Sequence, residues 1–304
     1  MQKRIFNGIF GIVLTPFKDN GKVDYDTLEK QLSKAVGNDS LDGLVMCGST
    51  GEFSRMGFEE NTRVMKVASD VNKKKKQLVC GATSGDSYTT DRYVEYISSL
   101  GADGALIAPP YYFKLSDDEI FEFYRDVFVN NSAKLPIVGY NIPQCTCPVS
   151  VKVFDKLLEF ESFKGFKNSW NDMQEITSEI ALRDEKRPDV SMLTGLDACL
   201  YGTYALGGDG IFSAISYLMP EIMSFIKNNY GKNENAFKCQ CDLIKLINVV
   251  NRFTFPLGYR ILSDAVGNNL GIGREIVPTS FANDILGAKK EMYEIHKSMM
   301  NNYN

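Results

Sequence analysis

The stretch "FKGFKNSW" (residues 163–170) has the apolar character of a buried strand, yet it contains a lysine near its end. Ionised lysine is among the side chains that are hardest to remove from water. The simpler interpretation of Lys167 is a strand-end residue whose ammonium group reaches solvent. The alternative is a chemically active amine, because alternation along the strand puts Lys167 on one face with Phe163, Gly165 and Ser169, where the small Gly165 leaves space.

This stretch is the sixth of eight short apolar runs that alternate with amphipathic segments. The alternation predicts repeated β-α-β units, and the nearly continuous apolar runs indicate a parallel sheet that is covered on both faces. An open sheet of the dinucleotide-binding type would carry Gly-x-Gly-x-x-Gly after its first strand, and that motif does not follow the first run. We therefore predict an α/β fold, a closed (β/α)8 TIM barrel. The runs are residues 8–17, 41–50, 77–84, 101–110, 134–143, 163–170, 190–197 and 208–215.

The segment after the eighth run has helical periodicity. We assign residues 1–216 to the barrel and residues 217–304 to an appended C-terminal helical region. The junction has no linker rich in proline, glycine or serine, so we expect the helices to pack on the barrel as part of a single structural unit.

Composition excludes several functional classes. A net charge of -4 does not favour nucleic acid binding, and no apolar run approaches the length of a membrane span. The seven cysteines, an odd number partly within apolar runs, indicate reduced thiols and a cytoplasmic location. Two Cys-x-Cys pairs, at 145/147 and 239/241, lack the spacing and histidine neighbours of common zinc sites, so we predict no metal site.

The chain has a single histidine, His296, on what is predicted to be the last helix. Histidine-based catalytic triads are therefore excluded, and the chemistry must use lysine, tyrosine, hydroxyls, carboxylates or thiols. The same alternation places Tyr140 inward on the strand before Lys167, at the end of the barrel where active sites lie. Burial lowers the pKa of a lysine, and a neutral amine can form a Schiff base that stabilises a carbanion, while a tyrosine can carry protons.

A second candidate element is "CGSTGE" (residues 47–52), in which glycines flank two hydroxyls. Exposed N–H groups in such a turn would form an anion cradle suited to a carboxylate, with Ser49 and Thr50 as additional donors. The Gly-Lys-Ser/Thr ending of a nucleotide-binding loop is absent from this motif. An ordinary turn remains the alternative.

Four motifs, "GSTGE", "PPYY", "YNIP" and "GFKNS", resemble in order and separation the pyruvate-dependent class I aldolase family that includes dihydrodipicolinate synthase and N-acetylneuraminate lyase. The resemblance extends along nearly the whole chain. It implies that Lys167 is the Schiff-base lysine and that Tyr140 is the proton donor and acceptor. It also implies that Ser49 and Thr50 divide proton relay and carboxylate binding between them.

The resemblance has further implications for the site and the assembly. Tyr112 in "PPYY" is similar to a relay tyrosine that the family often shares across a subunit boundary. Phe212 occupies a position whose backbone contacts pyruvate. The resemblance also implies a homotetramer built from two tight dimers, with no metal and no organic cofactor.

Departures from the family pattern bear on the substrate. Dihydrodipicolinate synthases carry an arginine after the tyrosine motif that binds a substrate carboxylate, and here that position is Cys145. A thiol cannot make the bidentate contact of a guanidinium. The N-acetylneuraminate lyases carry a glutamate where this chain has Ala198, which disfavours a long nine-carbon sugar. The residues that resemble substrate-contacting positions of the lyases are Ser169, Gly195, Asp197 and Ser213.

We therefore predict a class I lyase that cleaves or forms a 2-keto-3-deoxy sugar acid or N-acetylneuraminate, with pyruvate as one partner. The alternative within this class is dihydrodipicolinate synthase, which joins pyruvate and aspartate semialdehyde in lysine biosynthesis. A non-catalytic sugar-acid-binding protein is the alternative from another class. The full set of lysine, tyrosine and hydroxyls argues against that last alternative.

Overall fold

The computed structural model describes residues 4–268, 270 and 273–303. Eight parallel strands pair in chain order and close into a barrel, which confirms the predicted (β/α)8 architecture. Each strand lies within one of the eight apolar runs. The strands are β1 (Gly8–Ile12), β2 (Gly43–Met46), β3 (Gln77–Gly81), β4 (Gly104–Ile107), β5 (Ile137–Asn141), β6 (Phe163–Asn168), β7 (Ser191–Thr194) and β8 (Gly210–Ser213).

Helices surround the barrel and continue beyond its last strand. Several begin with a side-chain cap, such as Ser116, whose hydroxyl accepts a hydrogen bond from the Glu119 N–H while the Glu119 carboxylate accepts one from the Ser116 N–H. The helices are α1 (Tyr25–Val36), α2 (Phe58–Asn72), α3 (Ser87–Ser99), α4 (Asp117–Asn130), α5 (Val151–Leu157), α6 (Met173–Lys186), α7 (Leu200–Ala205), α8 (Ala214–Leu218), α9 (Pro220–Asn229), α10 (Asn235–Val250), α11 (Leu257–Ala265) and α12 (Ala282–Tyr303).

The C-terminal helices pack directly against the barrel. Helix α8 spans the predicted division at residues 216 and 217, and α9 packs against β1. Helices α10, α11 and α12 pack on one another and on the rest of the chain. The division into two parts stays a prediction. None of the helices in the described ranges is both long and apolar enough to cross a membrane.

Two apolar layers fill the fold. The inner layer lies inside the barrel, where the rings of Phe10 and Phe212 are 4.6 Å apart and Phe6 meets both edge-on. The outer layer lies between the strands and the helices. Phe6 precedes β1, Phe10 lies in the middle of β1 and Phe212 lies within β8, and their rings fill the interior below the polar side chains that follow the strands.

The predicted direction of Phe163 is wrong. Its ring packs in the outer layer against Phe154 and Phe166 and does not share the inner face with Gly165. The cause is a register shift, because Ile137 pairs with Phe163 whereas the next residue of β5 pairs with Gly165. The extra residue reverses the alternation, as a β-bulge does. From Gly165 onward the predicted alternation holds.

Candidate active site

Lys167 and Tyr140 lie side by side at the carboxyl ends of β6 and β5. They are paired in register, and the Lys167 Nζ is 3.9 Å from the centroid of the Tyr140 ring. Only 2% of the Lys167 surface is exposed, so the strand-end interpretation of a solvated ammonium group is wrong. The structure brings the two residues together as the alternation predicts. Their catalytic roles stay a prediction.

Burial changes the protonation of the amine. Removal from water lowers the pKa of Lys167 to about 7, while electrostatic interaction with Asp197 and, to a smaller extent, with Cys145 opposes this shift. A substantial fraction of the amine is then neutral near pH 7, whereas an exposed lysine is almost entirely protonated. The site thus holds a nucleophile without a separate base to deprotonate it.

Tyr140 has the opposite shift. Burial raises its pKa well above the ordinary value, and hydrogen bonds with Ser169 and Ser49 oppose this effect. The Ser169 Oγ donates to the Tyr140 Oη at 3.2 Å. Tyr140 is therefore a neutral phenol at rest, able to donate a proton and to receive it again.

The turn Ser49–Gly51 follows β2 and contributes two hydroxyls. The Thr15 Oγ donates to the Gly51 carbonyl at 2.7 Å and fixes the turn to the end of β1. The predicted cradle of free N–H groups is reduced, because the N–H groups of Gly51 and Glu52 donate to carbonyls of the turn itself. The predicted role of this turn in anion binding therefore rests mainly on its first two residues, Ser49 and Thr50.

A cavity of about 470 Å³ opens in front of Lys167. Seven of the predicted site residues line it: Thr50, Tyr140, Lys167, Ser169, Gly195, Asp197 and Ser213. Gly195 permits this arrangement, because a β-carbon there would lie 2.5 Å from the Lys167 Cε. An adjoining cavity of about 290 Å³ is lined by Ser49 and Tyr112 and shares Ile142, Cys145 and Phe255 with the first.

Three predicted residues do not line the main cavity, and one of them, Ser49, lines only the adjoining cavity. Tyr112 also lines only the adjoining cavity, and at 90% exposure its side chain lies mostly in solvent within one subunit. Phe212 is fully buried in the inner layer and does not line the cavity. Any contact of Phe212 with substrate would have to come from its backbone, as the resemblance implies.

Sequence reasoning missed a wall of the cavity that comes from the C-terminal helices. Asn251, Phe255 and Tyr259 all line it. The Tyr259 Oη donates to the Asp197 Oδ2 at 3.2 Å. The available signal was the polar and aromatic segment "NRFTFPLGY" (residues 251–259), which connects α10 to α11 and includes the start of α11.

Asp197 is buried at the start of the turn Asp197–Cys199, after β7. Burial raises the pKa of Asp197 to about 6, although hydrogen bonding to Ser213 and Tyr259 and the charge of Lys167 act in the other direction. The Gln240 side chain of α10 donates to the Asp197 carbonyl at 3.1 Å and helps to hold the turn. Near pH 7 the cavity therefore contains a carboxylate a short distance from the amine.

The comparison with protein families decides the membership of the chain. The model of the dihydrodipicolinate synthetase family matches residues 5–274. The chain belongs to this family. The family members are class I pyruvate-dependent lyases, so the predictions of family and of enzyme class are confirmed.

The proteins to which the chain is similar are named for more than one activity. The chain is 33% identical to the 4-hydroxy-tetrahydrodipicolinate synthase of Ehrlichia canis over 255 residues, which is 82% of this chain and 84% of that one. The structure of the 4-hydroxy-tetrahydrodipicolinate synthase of Methylacidiphilum fumariolicum SolV is similar in fold, with a TM-score of 0.89, 23% identity and 98% of each chain covered. The 2-keto 3-deoxygluconate aldolase of Picrophilus torridus has a TM-score of 0.77 and 25% identity, covering 84% of this chain and 91% of that one.

The sequence predicts reduced cysteines and no metal site. In the part of the chain that the structure describes, no three His, Cys, Asp or Glu side chains form a group that could hold a metal ion. All seven cysteines are unpaired, including the exposed Cys145 and the half-buried Cys147. The absence of a metal or cofactor and the cytoplasmic location stay predictions.

We expect the Lys167 amine to titrate with an apparent pKa of about 7. Competitive labelling with a small acylating reagent across pH, followed by mass spectrometry of the Lys167 peptide, measures this value. Asp197→Asn should lower it further, because the Asp197 carboxylate stabilises the ammonium form. Lys66 is a matched surface control, since Asp70 raises its pKa. A Lys167 that titrates together with Lys66 would contradict the prediction.

Proposed function

We propose that Lys167 forms a Schiff base with the C2 ketone of a 2-keto-3-deoxy sugar acid or of N-acetylneuraminate, and that the enzyme cleaves or forms the C3–C4 bond. The observation that carries the proposal is the buried amine with a lowered pKa against the ring of Tyr140. Cleavage gives pyruvate and an aldehyde. The reverse reaction joins them.

The proposed steps balance as follows. The neutral Lys167 amine attacks C2, the proton from nitrogen moves to the former ketone oxygen, and a second proton from Tyr140 lets that oxygen leave as water. This leaves an iminium ion and a Tyr140 phenolate. The phenolate then takes the C4 hydroxyl proton as the C3–C4 electron pair moves to the iminium, which releases the aldehyde and leaves an enamine. Protonation of the enamine at C3 and hydrolysis of the iminium release pyruvate and restore the amine.

The two hydroxyls of the Ser49–Gly51 turn serve the carboxylate and the proton path in this proposal. Thr50 lines the main cavity and is buried, which supports a role in binding the pyruvate carboxylate. Ser49 hydrogen bonding to Tyr140 supports a role in proton relay.

The charges of the cavity support a hydroxylated aldehyde as the second partner. Among the described residues that line the main cavity, Lys167 is the only basic side chain, and Asp197 contributes a carboxylate. Sugar hydroxyls can donate to a carboxylate, whereas a second substrate carboxylate would be repelled by it. Cys145 lies at the cavity wall where dihydrodipicolinate synthases are expected to carry their arginine.

The second candidate is 4-hydroxy-tetrahydrodipicolinate synthase activity, which the names of the relatives favour. In that case the carboxylate of aspartate semialdehyde would need another partner. Arg55 lines the adjoining cavity, but its guanidinium already pairs with Glu52 at 3.0 Å. We therefore place this activity second.

Borohydride trapping tests the Schiff base. Incubation with pyruvate and borohydride should add a reduced pyruvate adduct to the wild-type protein, measured by intact mass and located at the Lys167 peptide. Lys167→Ala should show no adduct, because no amine remains at that position. A reduced adduct on the Lys167→Ala variant, or the absence of an adduct on the wild-type protein, would contradict the proposal.

Parallel assays identify the aldehyde. With pyruvate fixed, glyceraldehyde and N-acetylmannosamine should exceed aspartate semialdehyde in kcat/KM by about tenfold or more. Cys145→Arg should narrow this difference, since it supplies the missing guanidinium. Cys241→Arg, at an exposed cysteine on α10 that does not line the cavity, controls for added charge. If semialdehyde is the best acceptor for the wild type, the second candidate replaces the first.

We also propose a homotetramer of two tight dimers in which Tyr112 reaches the site of the neighbouring subunit. The support is its position beside Phe113, with both aromatic rings largely exposed and in contact edge-to-face. Exposed aromatic pairs of this kind are typical of protein interfaces.

Subunit mixing tests this proposal. Lys167→Ala and Tyr112→Phe should each be nearly inactive, and their random 1:1 mixture after reassembly should regain about a quarter of wild-type activity, because half of the dimers contain one intact site. Light scattering reports the assembly size. A fully active monomer, or a mixture without recovery, would contradict it.

A further inference from the structure

We propose that the buried ion pair between Glu52 and Arg260 is a positioning device that fixes the wall of the site formed by α11 relative to the turn that carries the catalytic hydroxyls. Neither residue lines the main cavity. The inference rests on the proposed function. It adds that the C-terminal helices control recognition of the aldehyde half of the substrate.

The contacts of Arg260 are numerous and enclosed. Its Nε donates to the Glu52 Oε1 at 2.7 Å, and its Nη2 donates to the Thr15 carbonyl at 2.8 Å and also to Glu52. Both side chains of the ion pair are almost inaccessible to solvent. One guanidinium thus joins the end of β1, the turn after β2 and helix α11.

Each residue of the ion pair directly follows a part of the site in the sequence. Glu52 comes directly after the turn Ser49–Gly51, and Arg260 comes directly after Tyr259, whose hydroxyl holds Asp197. The two nitrogen atoms of Arg260 that donate to Glu52 therefore fix the distance between the turn Ser49–Gly51 and the part of the cavity wall that holds Asp197. Thr15 strengthens the connection, because its carbonyl accepts from Arg260 and its hydroxyl donates to the same turn.

Stability alone is a poor reason for such an ion pair. A buried ion pair loses its hydration, and well-packed apolar residues of similar volume often stabilise a protein at least as well. Other polar groups also face this pair. The Arg55 guanidinium and the backbone N–H of Arg274 contact the Glu52 Oε2 at 3.0 and 3.1 Å, and the Glu275 Oε2 is 3.5 Å from the Arg260 Nε. This directional network favours a role in geometry.

The test replaces both partners at once. Glu52→Gln with Arg260→Met removes the ion pair without leaving an unpaired buried charge on either residue. The matched control is Arg183→Met with Asp209→Asn, since this buried pair, 3.0 Å apart, lies at the opposite end of the barrel. All proteins are assayed for pyruvate trapping with borohydride, for kcat and KM with the best aldehyde, and for folding by circular dichroism.

We expect the Glu52/Arg260 double variant to lose at least tenfold in kcat/KM for the aldehyde, mainly through KM, with pyruvate trapping within about twofold of wild type. Trapping survives because Lys167 and Tyr140 are held by β6 and β5, and because the Thr15 hydroxyl still holds the turn that carries Thr50. The control should keep both activities. Unchanged aldehyde kinetics in the double variant, or an equal loss in the control, overturns the inference.

Two other outcomes have separate meanings. If wild type is not trapped by pyruvate, the proposed function fails, and the positioning role fails with it. If the double variant does not fold, Arg260→Lys takes its place, because lysine keeps the charge but not the fork. That variant should raise KM for the aldehyde, and wild-type kinetics in a folded Arg260→Lys protein overturn the inference.

Discussion

Removal of the Lys167 amine from water is the constraint on which the site depends. An ammonium group in this position would lose most of its hydration, and the structure compensates only in part, through Asp197 and the ring of Tyr140. The energetic penalty on the charged form makes the neutral amine available near pH 7. The same burial keeps Tyr140 protonated. Burial therefore leaves the Lys167 amine partly neutral, as a nucleophile must be, and keeps the Tyr140 phenol able to donate a proton.

The barrel makes this burial possible because its interior is divided along its axis. Phenylalanines fill the lower part, and the polar ends of the strands remain above them. Gly165 lies beneath Lys167 on the inner face, and Gly195 beside it leaves room for the lysine side chain. The strands, which are rigid elements of such a fold, thus position Lys167 and Tyr140. The turn Ser49–Gly51 adds hydroxyl groups beside these two side chains.

Much of this arrangement could be predicted from residue order. The eight apolar runs identify the barrel, and the alternation along β5 and β6 brings Tyr140 and Lys167 together, because a period of two is a local property. The prediction failed for Phe163, since a β-bulge has no clear signal in its own sequence. It also missed Tyr259, which meets Asp197 across 62 positions of the chain. Contacts between such distant segments depend on how whole helices dock, and periodicity does not contain that information.

The origin of Tyr259 in α11 has a consequence for how such an enzyme can diverge. The groups proposed to make and break covalent bonds, Lys167 and Tyr140, belong to the strands, whereas Tyr259, in a wall of the same cavity, belongs to a helix much later in the chain. Selection can alter this segment while the reactive centre stays intact. Under the proposed function, substitutions in this segment can therefore change the substrate preference while β5 and β6, which carry the reactive groups, stay unaltered.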